Sequence, residues 1–112
     1  MRCLAVVLAA VTGCSFAFVD GPPKTPSTRP VCTTGKGIPL LDSLFGTVEL
    51  ATGVIYLSGA DTPGLDSGVA SQMQTIGVLS LVSAAVHYVA ALSGNSDVNR
   101  CLEAQAQWDA GK

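Results

Sequence analysis

The sequence predicts an all-α protein: an antiparallel hairpin of two long apolar helices, about residues 38–58 and 69–93, followed by a short C-terminal helix. Three observations lead there. Two apolar stretches are too long for ordinary strands and lack period-two alternation. A Pro63-Gly64 pair in "GADTPGLDSG" marks a turn between them. A cysteine lies just outside each stretch, at Cys32 and Cys101. Composition agrees: 48% of the 112 residues are hydrophobic, yet only 5% are aromatic and 12% charged. An ordinary soluble domain carries about 25% charged residues. Apolar content drawn from Ala, Val and Leu suits close-packed helices or membrane segments better than a core built around rings. A net charge of −2, with Lys and Arg scattered, leaves no basic patch for nucleic acid.

Met1-Arg2 and the apolar run Cys3–Val11 have the layout of a signal peptide, residues 1–13, too short to span a bilayer stably. Its ending, Val11-Thr12-Gly13-Cys14, resembles a bacterial lipobox, in which a small residue precedes the cysteine that takes a diacylglyceryl group. Cys14 is then the expected lipidation site and first mature residue, and two acyl chains would hold it durably on a membrane. The alternative is an ordinary signal peptide cut near Ala17, with Cys14 lost. Residues 20–30, "DGPPKTPSTRP", hold four prolines and no apolar periodicity. Residues 14–31 therefore read as an extended Pro-rich linker, rising about 3.1 Å per residue.

With Cys3 in the leader and Cys14 lipidated, Cys32 and Cys101 remain as an even pair in an exported, oxidising setting. An antiparallel hairpin would bring them together at its open end, so residues 32–112 read as a disulfide-closed hairpin. Two distant thiols and one histidine lack metal-ligand spacing, and no CxxC motif suggests redox chemistry.

In the first apolar segment, Pro39 fits an opening helical turn, and Gly59 reads as a C′ residue. Asp66 or Ser67 can cap the second segment, and Gly94-Asn95 reads as its end. Each helix would be around 30 Å long, about one hydrocarbon thickness. Gly77, Ser80, Ser83, Ala84, His87 and Ala91 form one stripe, and Gly46 and Gly53 share a face. Such stripes let helix backbones approach closely in a membrane, and they would equally serve a soluble hairpin or an oligomer. "SDVNRCLEAQAQW" reads as the short C-terminal helix, with Trp108 either an interfacial anchor or a cover for the hairpin's end.

Asp42, Glu49 and His87 are the intramembrane polar candidates. Asp42 and Glu49, seven residues apart, share a face; Asp42 should lie within a turn of His87, and Glu49 opposite Val78–Ser80. Ionisable groups at membrane depth mark an ion or proton pathway or a satisfied structural pair. No catalytic constellation, phosphate loop or cofactor motif is present, so neither an enzyme nor a cofactor is expected. One conflict stands. Lys24, Arg29, Lys36, Arg100 and Lys112 flank the hairpin, and the positive-inside rule would place both ends in the cytoplasm. Lipidation and a disulfide require the opposite; an outer membrane, or no bilayer insertion, would remove the conflict.

"CTTGKGIPLLD" (Cys32 to Asp42) and "CLEAQAQW" (Cys101 to Trp108), bracketing two Gly/Ala/Ser-rich segments, resemble a group of small bacterial lipoproteins. In these a Cys and a Pro-x-x-Asp precede the first helix and a Cys-x-x-Ala follows the second; Cys32, Pro39, Asp42, Cys101 and Ala104 match. Tyr56 and Tyr88 depart from the pattern, standing where the resemblance leads one to expect a Gly-rich second helix. The resemblance implies a lipid-anchored protein of the bacterial cell envelope with a structural or protein-interaction role. Its expected partners are membrane lipid, a second copy or another envelope protein. Ser15 after the cysteine resembles signals for the outer membrane, and the chain would face the periplasm. The runner-up expectation is a small membrane oligomer conducting ions or protons through Glu49.

Overall fold

The starts of the two long helices are set by a few local hydrogen bonds. The computed structural model describes residues 13–25 and 27–111, with three helices: α1 (Cys14–Phe18), α2 (Gly37–Ala60) and α3 (Ser67–Ala110). All regular structure among the described residues is helical, as the sequence predicts. The expected signal peptide lies outside the described residues, apart from Gly13.

Pro39 sits in the first turn of α2, where the Leu40 N–H donates to the Lys36 carbonyl at 3.1 Å. Along α2 the hydroxyls of Ser43, Thr47 and Thr52 donate to the carbonyls of Pro39, Ser43 and Val48, at 3.0, 2.8 and 2.9 Å. This back-bonding satisfies each hydroxyl on an otherwise apolar helix. The chain turns at Pro63-Gly64, with Gly64 at φ 84°, a conformation that favours glycine. Asp66 then caps α3 through its side chain, accepting from Gly68 N at 2.9 Å and Val69 N at 3.3 Å.

Two expected helix ends are absent. Gly59 does not end α2, which runs on to Ala60; a Cβ there would lie 2.5 Å from Met73 Cε, so the residue is small to admit that side chain. Gly94-Asn95 does not end α3 either. The second long helix and the expected C-terminal helix are one helix of 44 residues. Gly94 is buried, and a Cβ would fall 2.6 Å from Ser15 Cβ and 3.1 Å from Pro39 Cγ. Both glycines answer a demand for close approach, which resembles a stop signal when read from sequence alone.

The contacts between α2 and α3 run in one order. Cys32, before α2, is disulfide-bonded to Cys101; Asp42 meets His87, Glu49 meets Ser83, Gly53 meets Gly77, and Gly59 meets Met73. The interface is made of small residues. Gly46, Gly53, Gly77, Ala84, Ala90 and Ala91 are buried, and a Cβ on Gly53 would sit 3.0 Å from the Gly77 carbonyl oxygen. Leu57, Leu81 and Met73 fill the space left by Gly77, Gly53 and Gly59, and Val98 is buried. Many large apolar side chains point the other way: Leu40, Leu44, Val54 and Ile55 on α2, and Leu79, Val82, Val89 and Leu92 on α3, are all exposed.

Residues 14–31 are not a free extended spacer. Cys14–Phe18 is helical, and the chain after it runs along the C-terminal part of α3, with Gly21 against Asp97. Asp20 N donates to Thr33 Oγ1 and Thr33 N to the Asp20 carbonyl, both at 3.0 Å. Gln105 Nε2 donates to the Pro30 carbonyl at 3.0 Å, and Arg29 makes a two-pronged bond to Asp109 at 3.2 and 3.0 Å. Proline removes backbone donors, so apart from the Asp20 N–H the segment docks through carbonyls and side chains.

Breaking the Cys32–Cys101 bond, which closes a sequence separation of 69 residues, should lower unfolding free energy by about 4 kcal/mol on the chain-entropy account. Denaturant titration of Cys101→Ser in detergent checks this. Gly77→Leu should force the backbones apart and cost about 2 kcal/mol or more. Gly35→Ala, with nothing within 4 Å, should leave the midpoint unchanged.

Candidate functional site

Asp42 lies on the buried face of α2 and is fully shielded from solvent. Its two carboxylate oxygens accept from different residues of α1: Oδ1 from Cys14 N at 2.7 Å and Oδ2 from Ser15 N at 2.6 Å. These are the first two N–H groups of α1, which have no partner inside the helix, and Gly13 supplies no side-chain cap. Asp42 therefore caps α1 from another helix. A third donor comes from α3, where His87 Nδ1 lies 3.2 Å from Asp42 Oδ1. An ionised carboxylate only accepts, so Nδ1 carries the hydrogen of that bond.

His87 is itself buried, with Phe45 tilted over its ring at a centroid distance of 5.9 Å. Its far nitrogen, Nε2, faces Glu49 Oε2 at 3.8 Å, beyond hydrogen-bonding range. Glu49 Oε1 accepts from Ser83 Oγ at 2.9 Å. The three expected residues thus form a single file, Asp42–His87–Glu49, which Ser83 extends toward the loop end. Glu49 meets Ser83, one turn beyond the expected Val78–Ser80 level, while Asp42 and His87 meet as the spacing predicts. On the outer side, Tyr88 Oη donates to Thr47 Oγ1 at 2.9 Å, and Thr47 passes its own hydrogen to Ser43.

The groove that receives α1 is built by small residues of α3. Gly13 has φ 73° and packs against Ala90, where any Cβ would collide, and Ser15 packs against Gly94. The backbone of residues 13–15 and Ser83 are the parts that sequence reasoning missed. Gly94 was the available signal, a glycine inside a helical pattern. Cys14 is half-buried with a free thiol, two residues before the exposed Phe16. Phe16 borders an apolar groove with Val82, Ala85, Val86 and Val89.

Among the described residues no group of three His, Cys, Asp or Glu side chains is placed to hold a metal ion. The arrangement can hold a backbone N–H pair, set an imidazole between two carboxylates and pin one helix against the other. No known protein family, curated protein or solved structure matches the chain.

Asp42→Ala should leave the Cys14 and Ser15 N–H groups without their acceptor and remove the His87 Nδ1 contact, and destabilise the protein by about 3 kcal/mol or more. Ser83→Ala should cost about 1 kcal/mol, since Glu49 keeps partial access to solvent. Equilibrium unfolding of the two variants beside wild type tests the ranking.

Proposed function

We propose that this chain is a lipid-anchored protein of the bacterial cell envelope with a structural or protein-interaction role. On this reading the two long helices form an antiparallel hairpin embedded in a membrane. The observation that carries it is the inverted distribution of side chains. Gly, Ala, Asp and His make up most of what is buried between the helices, with Val98, while most of the large Leu, Val, Ile and Phe side chains are exposed. A soluble helical pair would do the reverse. Both helices are long and apolar enough to cross a membrane, and only 22% and 28% of their apolar stretches are buried within the protein.

Dimensions support the same reading. From Asp42 to Ala60 α2 rises about 27 Å, close to the roughly 30 Å of a hydrocarbon core. Cys14, hydrogen-bonded to Asp42, then sits at the level of one membrane face and the Pro63-Gly64 turn at the other. A thioether-linked diacylglyceryl group on Cys14 would enter the same leaflet that Phe16 and Phe18 face. The C-terminal part of α3, with the disulfide and the folded-back segment, would stand outside the bilayer, facing the periplasm. Ser15 favours the outer membrane, and the partner is lipid together with a second copy or another envelope protein.

A second reading rests on the polar file. Glu49, His87 and Asp42 follow one another along the interface, and Glu49 keeps 30% of its side chain exposed. In an oligomer that edge of Glu49 would line an ion or proton pathway. Glu49→Gln should then abolish conductance in liposomes; wild-type liposomes that conduct no more than protein-free ones exclude this reading.

The leading reading is tested by intact mass of the membrane-extracted protein. The expected mass begins at Cys14, carries acyl groups, and rises by two hydrogen atoms on reduction. An unlipidated chain beginning near Phe18 overturns it.

A further inference from the structure

We infer that the buried Asp42–His87 pair is a receptor for the N-terminal nitrogen that processing creates on Cys14, so that the protein clasps its own lipidated end at a fixed place on the helical pair. The inference rests on the proposed lipoprotein reading, which supplies the cleavage. Hydrolysis of the Gly13–Cys14 peptide bond consumes one water, leaving a carboxyl on Gly13 and an amine on Cys14. The nitrogen that now donates to Asp42 Oδ1 at 2.7 Å is the one released. As an ammonium group it keeps that N–H and gains two more, beside a carboxylate it can neutralise. As an acylated amide it keeps the single N–H, with the acyl carbonyl where the Gly13 carbonyl was. Both products share the chemistry the pocket reads, an N–H aimed at a fully buried carboxylate.

Three observations fit a receptor. The second oxygen of Asp42 holds Ser15 N at 2.6 Å, which fixes the direction of the chain behind the new end. Gly13 contributes no side chain, so its departure loses no side-chain contact. Gly13 is also buried in this docked state, which shields the bond to be cut, so cleavage precedes docking and the pocket receives its product. A five-residue helix does not persist in isolation; α1 exists because the pocket caps it. An anchor held this way cannot swing on a flexible tether.

The test uses protein extracted from membranes and compares wild type with Asp42→Ala and Asp42→Asn. Intact mass first establishes that each begins at Cys14, and shows whether the nitrogen is free or acylated. Amide exchange at Ser15 is then followed by NMR in detergent. Ser15 should be protected in wild type, exchange at least about tenfold faster in Asp42→Ala, and fall between in Asp42→Asn, which retains one acceptor oxygen. Unchanged protection across residues 67–76 of α3 shows that the variant remains folded. Where Asp42→Ala does not fold, wild type and Asp42→Asn give the comparison. Rapid Ser15 exchange in correctly processed wild type overturns the receptor and leaves the lipoprotein reading intact. A wild-type chain that does not begin at Cys14 overturns both.

Discussion

A single buried carboxylate joins the three parts of this molecule. Asp42 is shielded from solvent, and an isolated carboxylate there would pay a desolvation penalty of several kcal/mol. Three donors offset it: two backbone N–H groups of α1 and the imidazole of His87 on α3. None of the three segments satisfies its own polar groups alone. The first N–H groups of α1 lack a cap, α2 carries a charge on its contact face, and α3 carries a histidine opposite it. Each becomes tolerable only when the others are in place, so the assembly is cooperative at that point. In lipid the constraint tightens, because water is not there to substitute for a missing partner.

Glycine and alanine complete what the carboxylate begins. Apolar association between helices is weak where the surroundings are equally apolar, and contact must come from close packing and polar bonds. At Gly53 and Gly77 the backbones come within reach of one another, and Gly46 packs on the backbone of Ala84 and the side chains of His87 and Tyr88. Register is then fixed at successive levels: the disulfide, Asp42 with His87, Glu49 with Ser83, and the Gly53–Gly77 contact. A slip of one residue would separate Asp42 from His87 and take Leu81 off Gly53 and Leu57 off Gly77. Leu57 and Leu81 fill the space over Gly77 and Gly53, and most other large side chains are left for the outside, where Leu79, Val82 and Leu92 meet whatever surrounds the pair.

What the sequence made legible follows from this. Length, apolarity and the absence of alternation gave the two helices, and the Pro63-Gly64 turn set the level at which residues face each other. The depth match of Asp42 and His87 came from counting along both helices away from that turn. The stripe of Gly77, Ala84, His87 and Ala91 read correctly because it repeats at helical spacing. Helix α1 was not legible. Five residues, two of them phenylalanine, have no local reason to be helical; their reason lies 28 residues away, in a side chain that caps them. Gly94 failed for the related reason that a glycine placed for close approach looks the same in sequence as one that ends a helix. The proline-rich segment looked extended because proline lacks donors, but its carbonyls still accept, and Gln105 uses one.

The charge pattern takes on a different sense once the folded-back segment is included. Arg29 is bound to Asp109, and Arg100 lies 3.5 Å from Asp97, so two of the flanking cations belong to the clasp around the disulfide. Exposed ion pairs of this kind contribute less than about 1 kcal/mol each. They nevertheless place those arginines on a folded segment beyond the run of exposed apolar residues that ends at Leu92, with only Leu102 exposed further along α3. Positive charge steers topology chiefly through short, unstructured flanks entering a membrane one helix at a time. On the proposed membrane reading, the disulfide that ties Cys32 to Cys101 would hold both flanks on one side, and such a bond persists where the surroundings are oxidising. Of the two opposing signals, the covalent one joins both ends at once, whereas each arginine acts singly and is already partnered.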